Sequence, residues 1–141
     1  MPGFYDHGFI QTKLKNTREL VTLNKASGTV TVMHELLAKT AGGLVIPATL
    51  ATVRSEIEGV CNQDIAAAEA LTQVPAIQVA SGDTWIVDVS NASNAAHNYQ
   101  RMILASAVEV NNTGFDDANG VVEQVQPYGL TSDKKIICRF I

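Results

Sequence analysis

The chain has 141 residues, 46% of them hydrophobic and only 17% charged, with a formal net charge of −4. That length holds one domain with an ordinary core, and the low charge leaves a weakly polar surface of the kind an assembly covers. No apolar run is long enough to span a membrane, no basic segment leads into an apolar one as in a signal peptide, and the acidic balance argues against a dedicated nucleic-acid binder. The expectation is therefore a protein that acts where it is made, with neither membrane nor nucleic acid as partner.

Residues 1–18 have no helical or strand periodicity, and they mix Phe4, Tyr5 and Phe9 with Lys13, Lys15 and Arg18. With Lys25 against Asp6 and Glu19 the first 25 residues carry +2, so the remainder carries −6. The pattern predicts an extended arm whose aromatic anchors and basic side chains need a cover, either an acidic partner surface or another subunit. A solvated tail is the plainer reading. The remaining residues, 19–141, read as one β domain that stays folded without the arm.

Along that domain, Leu20–Leu23 and the β-branched stretch Thr29–Met33 flank a turn at Asn24–Gly28 and predict a hairpin. The stretch from Ala41 is punctuated by Gly42-Gly43 and contains Pro47, which fits an edge strand or a connection. Ser55–Cys61 reads as a strand in which Gly59 permits a bulge or the close approach of another backbone. The alanine-rich run Asp64–Leu71 is the one helix-prone segment, capped by Asp64 and stopped by Pro75, and at roughly two turns it is too short to stand alone, so it either packs on the sheet or is a turn-rich loop. Val74–Val89 then gives two apolar runs about Ser81-Gly82-Asp83, a second predicted hairpin, with Trp85, Val87 and Val89 on one inward face.

Residues 90–98 are polar enough to be a loop. Tyr99–Val110 makes one long strand or two, closed by a turn at Asn111–Gly114. A further turn at 114–120, a strand at Val121–Val125 and a last strand at Lys134–Ile141 complete the chain. Short strands parted by Gly, Asn and Asp turns predict an all-β fold, a small barrel or sandwich of antiparallel strands with at most one short helix.

Chemistry-bearing residues are scattered. His7, His34 and His97 stand in unrelated contexts without ligands at metal spacing, and there is no nucleophile elbow or phosphate loop. Asp116, Asp117, Asn119 and Glu123 offer calcium-type oxygens but lack an EF-hand's spacing, and they read as an Asx-rich turn. Cys61 and Cys138, both in apolar sequence, read as buried free thiols of a reducing compartment. Lys134, Lys135, Arg101 and Arg139 read as strand-flanking surface charges or as partners for a neighbour's acids. No catalytic residue, cofactor or metal site is expected.

The succession SEIEGVCNQDIAAAEALTQVPAIQV, SGDTWIVDV, NYQRMILASAVEVNNTG and DKKIICRF resembles the small β-barrel decoration, or cement, proteins on the outside of tailed-bacteriophage capsids. The resemblance lies in the order of strands and turns over residues 20–141 and carries over no site residue. It implies a structural virion protein, made in the bacterial host's cytoplasm, that binds the major capsid protein on an assembled shell, works as a homo-oligomer with a trimer favoured, and bridges capsid subunits. Another virion β module, a head fibre or tail component, fits the same pattern. A small trimeric β-fold nucleotide hydrolase fits less well, because Val53-Arg54-Ser55-Glu56 lacks the proline and glycine of that family's phosphate loop.

Overall fold

A computed structural model describes residues 7–12 and 20–141. Its strands, in chain order, are β1 (Ile10–Gln11), β2 (Leu20–Asn24), β3 (Leu36–Lys39), β4 (Val45–Pro47), β5 (Ile57–Cys61), β6 (Gln73–Gln78), β7 (Thr84–Val89), β8 (Arg101–Ser106), β9 (Glu109–Phe115), β10 (Val122–Pro127) and β11 (Lys135–Phe140). Three single 3₁₀ turns, at Arg54–Glu56, Ala95–His97 and Thr131–Asp133, are the only helical segments among the described residues. The fold is all-β, as the turn-punctuated sequence predicts.

The first sheet runs β1-β7-β11-β10-β8-β9 and returns to its start, because β9 also pairs with β7. The closing contact is parallel, Asp88 opposite Glu109 and Val89 opposite Val110. β1 occupies the preceding stretch of the same β7 edge, Ile10 opposite Ile86 and Gln11 opposite Trp85. Five strands thus close into a barrel with β1 completing its seam, and closure removes the unpaired edges that an open sheet exposes. Strict alternation fills the interior. Trp85, Val87 and Val89 of β7, Met102 and Leu104 of β8, and Ile136, Cys138 and Phe140 of β11 are all buried in one core.

The second sheet has the order β2-β6-β5-β3-β4. It curls so far that Lys25, just past β2, forms a parallel bridge with Val45 at the start of β4. Lys25 is itself buried, and its ammonium donates to the carbonyls of Leu71 (2.7 Å) and Ala26 (3.3 Å), the hydrogen bonds that a charge removed from water requires. A smaller core of Leu37, Val45, Cys61, Ile65, Val74 and Ala76 fills this sheet's concave side. Its other side belongs to the larger core through Leu36, Ala38, Ile57 and Val60. Strand β3 is therefore apolar on both faces. Gly59 does what its position predicts: a Cβ there would stand 2.9 Å from the Ile77 carbonyl oxygen, and the β3–β5 register slips beside it.

Three expectations are corrected. Val74–Val89 is not a hairpin: β6 pairs with β2 and β5, β7 with β11, β1 and β9, and the turn at Gly82 carries the chain from one sheet to the other. Leu20–Met33 is not a hairpin either, since β2 pairs with β6 while Thr31 makes an isolated bridge with Ile65. That bridge also decides between the two readings of Asp64–Leu71: it is the turn-rich loop, because burying Ile65 against Thr31 outweighs alanine propensity in a run too short to nucleate, and Asp64 caps the Met33 N–H at 2.7 Å. Third, Asn111–Gly114 lies inside β9, not in a turn.

The arm also changes character. Phe9 is fully buried in this chain's own core, its ring 5.7 Å from Phe140 and its N–H bonded to the His34 carbonyl at 2.8 Å. Gly8, at φ +88°, makes that approach possible, since a Cβ would stand 2.5 Å from the same carbonyl oxygen. Phe9 is an internal anchor and not an exposed partner contact, so residues 7–12 are integral to the barrel. Phe4, Tyr5, Lys13, Lys15 and Arg18 lie outside the described residues.

Candidate interaction surface

The polar segment 90–100 is held by two side chains that the core fully buries. Asn112, in the middle of β9, donates to the carbonyls of Asn91 (3.0 Å) and Ala92 (3.2 Å) and accepts from the Asn91 N–H (3.0 Å). Gln124 of β10 donates to the Asn94 carbonyl and the Asn98 side-chain oxygen, both at 2.8 Å. A buried amide without partners is costly, so each of these side chains fixes the loop groups that bond it, Asn112 through both its amide nitrogen and oxygen and Gln124 through its nitrogen alone, its Oε1 being left without a partner. The loop is polar, as read, but it is tied at both ends.

Its last turn presents Tyr99. The Tyr99 N–H donates to the Gln124 carbonyl at 2.7 Å, and the residue is held at φ +69°, left-handed backbone that a bulky side chain adopts only under constraint. The residue is 67% exposed. Arg139 lies over it, guanidinium carbon 5.9 Å from the ring centre, and bonds Glu123 at 2.9 Å. Register places Arg101, Glu123 and Arg139 abreast across β8, β10 and β11. Phe115, at the end of β9 and opposite Met102 of β8, is 46% exposed and meets the His97 ring edge-on at 4.9 Å. Exposed aromatics and arginines on a preorganised frame have the composition of a protein-binding surface.

A second cluster fixes the N-terminal segment. Asp88 of β7 accepts from Lys135 (2.7 Å), from the Gly8 N–H (3.2 Å) and from the ring of His7 (3.1 Å). The adjoining cleft, about 340 Å³, is lined by His7, Asp88, Val89, Val108, Glu109, Asp133 and Lys134. An Asp–His pair can orient a base, but this lining brings no serine, threonine or cysteine to it. The geometry serves to tie residues 7–12 to the barrel.

The other sequence-flagged residues are dispersed. His34 sits in the left-handed turn that receives Phe9, and His97 packs on Phe115. Asp116 is spent on its own turn, accepting from the N–H groups of Ala118 and Asn119, and these bonds hold its carboxyl below the usual range. Among the described residues no group of three or more His, Cys, Asp or Glu is placed to hold a metal ion. Both cysteines are buried free thiols, pushed up by burial. Arg139 and Lys135 pair with this chain's own Glu123 and Asp88, and Arg101 bonds the Asp117 carbonyl at 3.1 Å. The surface of Tyr99, Phe115 and Arg139 was not legible in the sequence, because no local signal distinguishes an exposed Tyr99 from a strand's first inward residue. No family model matches the sequence, nor does any curated protein.

Proposed function

We propose that this chain is a structural virion protein that binds the outside of an assembled phage capsid and stabilises it by bridging major capsid subunits. The observation that carries the reading is the preorganised surface of Tyr99, Phe115 and Arg139, built on the buried amides of Asn112 and Gln124. A rigid surface of this kind loses little conformational freedom on docking. The order of strands and turns, which resembles that of capsid decoration proteins, supports the choice of partner. Many copies on one shell would turn modest individual contacts into firm attachment.

Sedimentation with mature shells lacking the protein tests the reading. At micromolar concentration the wild type should pellet with the shells, and Tyr99→Ala combined with Phe115→Ala should weaken retention by about tenfold or more. Wild-type protein left in the supernatant would refute the proposal. Full retention of the double variant would move the contact elsewhere on the surface.

A further inference from the structure

The connection from β9 to β10 runs through Asp116-Asp117-Ala118-Asn119-Gly120, and Asn119 is the one asparagine of the sequence that a glycine follows. Such a pair is chemically labile, because the glycine nitrogen has no side chain beside it to hinder its approach to the asparagine side-chain carbon. The glycine is required here. Gly120 is buried, and a Cβ on it would stand 2.6 Å from the Asp116 carbonyl oxygen and 2.7 Å from the Arg101 Cβ. In the folded chain Asp116 engages both groups that must react. The Gly120 N–H, whose nitrogen is the nucleophile once deprotonated, donates to the Asp116 carbonyl at 2.8 Å. The Asn119 side-chain nitrogen, the leaving group, donates to the Asp116 carboxylate at 3.4 Å. That carboxylate also accepts from the N–H groups of Ala118 (3.0 Å) and Asn119 (2.9 Å). The turn is tied to β8 at both ends, the Asp116 N–H bonding the Arg101 carbonyl at 3.0 Å and the Val121 N–H the Met102 carbonyl at 2.9 Å.

We infer that Asn119 is a site of spontaneous deamidation and that Asp116 holds the reaction off in the folded protein by keeping the turn closed. When the turn opens, hydroxide takes the Gly120 N–H proton and the nitrogen bonds to the Asn119 Cγ. The Cγ–Nδ2 bond breaks, and Nδ2 takes up a proton and leaves as ammonia. Water then adds to one or the other carbonyl of the resulting succinimide and opens it to aspartate or isoaspartate, so that water has replaced ammonia with nothing oxidised or reduced. Either product disturbs the turn. The Nδ2 donor is lost and a negative charge appears beside Asp116 and Asp117, where like charges repel. Isoaspartate also lengthens the main chain by one methylene next to Gly120, a residue with no room to shift, and ahead of the fully buried Val121 and Val122. Phe115 leads into this turn and Arg101 packs against it, so the conversion alters the candidate surface without an enzyme.

Peptide mass mapping of the full chain, kept in mildly alkaline buffer with and without urea, tests this, with isoaspartate methyltransferase labelling to identify the product. In urea Asn119 should convert faster than any other asparagine, and in the native protein about tenfold more slowly or less, since only the opened turn reacts. Asp116→Ala removes the carboxylate and keeps the backbone carbonyl; with unchanged circular dichroism it should raise native conversion about threefold or more. Asp116→Asn retains an oxygen for both N–H groups and should stay within about twofold of the wild type. Exchange of the wild-type Gly120 amide, followed through low urea concentrations, should rise in step with conversion, a result that decides the matter even if Asp116→Ala unfolds. Native conversion as fast as in urea, another asparagine reacting first in urea, a folded Asp116→Ala converting no faster than the wild type, Asp116→Asn converting as Asp116→Ala does, or conversion that fails to follow Gly120 exchange would each overturn the inference.

Discussion

Replacing Phe9 by alanine tests whether the N-terminal segment is part of the domain or an appendage. The ring is fully buried against Phe140, and its segment is further held by two ladder pairs and by the bonds of His7 and Gly8 to Asp88. Burying a phenylalanine contributes about 1.5 to 3 kcal/mol by transfer, and an unfilled cavity brings Phe→Ala substitutions to about 3 to 5 kcal/mol. Local detachment of residues 7–12 sets a ceiling on the loss, because a segment with two ladder pairs can peel away before the barrel opens. We therefore expect about 3 kcal/mol from urea denaturation, a fall in Tm on the order of 10 °C, and new proteolytic cleavage near residues 7–12. Deleting residues 1–18 should cost at least as much, contrary to the reading of these residues as a dispensable arm. A loss within about half a kcal/mol, the range of an ordinary surface substitution, would show that Phe9 does not fill the barrel core.

Trp85→Ala should cost about 3 to 5 kcal/mol, since the ring is fully buried and stacks edge-on with Phe140 at 6.0 Å; a near-neutral result would mean that the register of β7 is inverted. Asn112→Ala or Gln124→Ala should raise amide hydrogen exchange across residues 90–100 and cost about 1 to 3 kcal/mol each, and unchanged protection of that loop would contradict the pinning described above. Burial raises the Glu35 carboxyl, so the folded state holds its proton more tightly than the unfolded chain, and stability should fall as pH rises from the ordinary Glu value of 4.5 through the raised folded one. Glu35→Gln keeps the acceptor for the Val32 N–H and should abolish that part of the dependence, as urea titrations at pH 4 and pH 7.5 would reveal. Cys61 and Cys138, buried and pushed up, should resist a thiol reagent in the native protein and both react in urea; rapid native labelling would be incompatible with their burial.

Local pattern sufficed for the fold class and for which side chains of a strand face inward. Trp85, Val87 and Val89 share a face whatever pairs with β7, since alternation is a property of one strand's own geometry, and Pro47 marks an edge because a missing N–H bars a central position wherever the strand lies. Gly59 was legible for a similar reason, the lack of a side chain announcing a close approach before the neighbour was known. Pairing partners were not legible. The turn at Gly82 has the chemistry of a hairpin, yet Val74 and Ala76 belong to the smaller core and Trp85 to the larger, so the choice between pairing and crossing depends on which core each strand fills. In Asp64–Leu71 helix propensity lost to the long-range burial of Ile65 against Thr31, and Asn112, a turn residue by composition, is a buried strand residue because the carbonyls of Asn91 and Ala92 come to it from across the fold. Phe9 looked like an anchor in search of a partner, and only the barrel's closure, which leaves part of the β7 edge open to β1, made that partner its own chain.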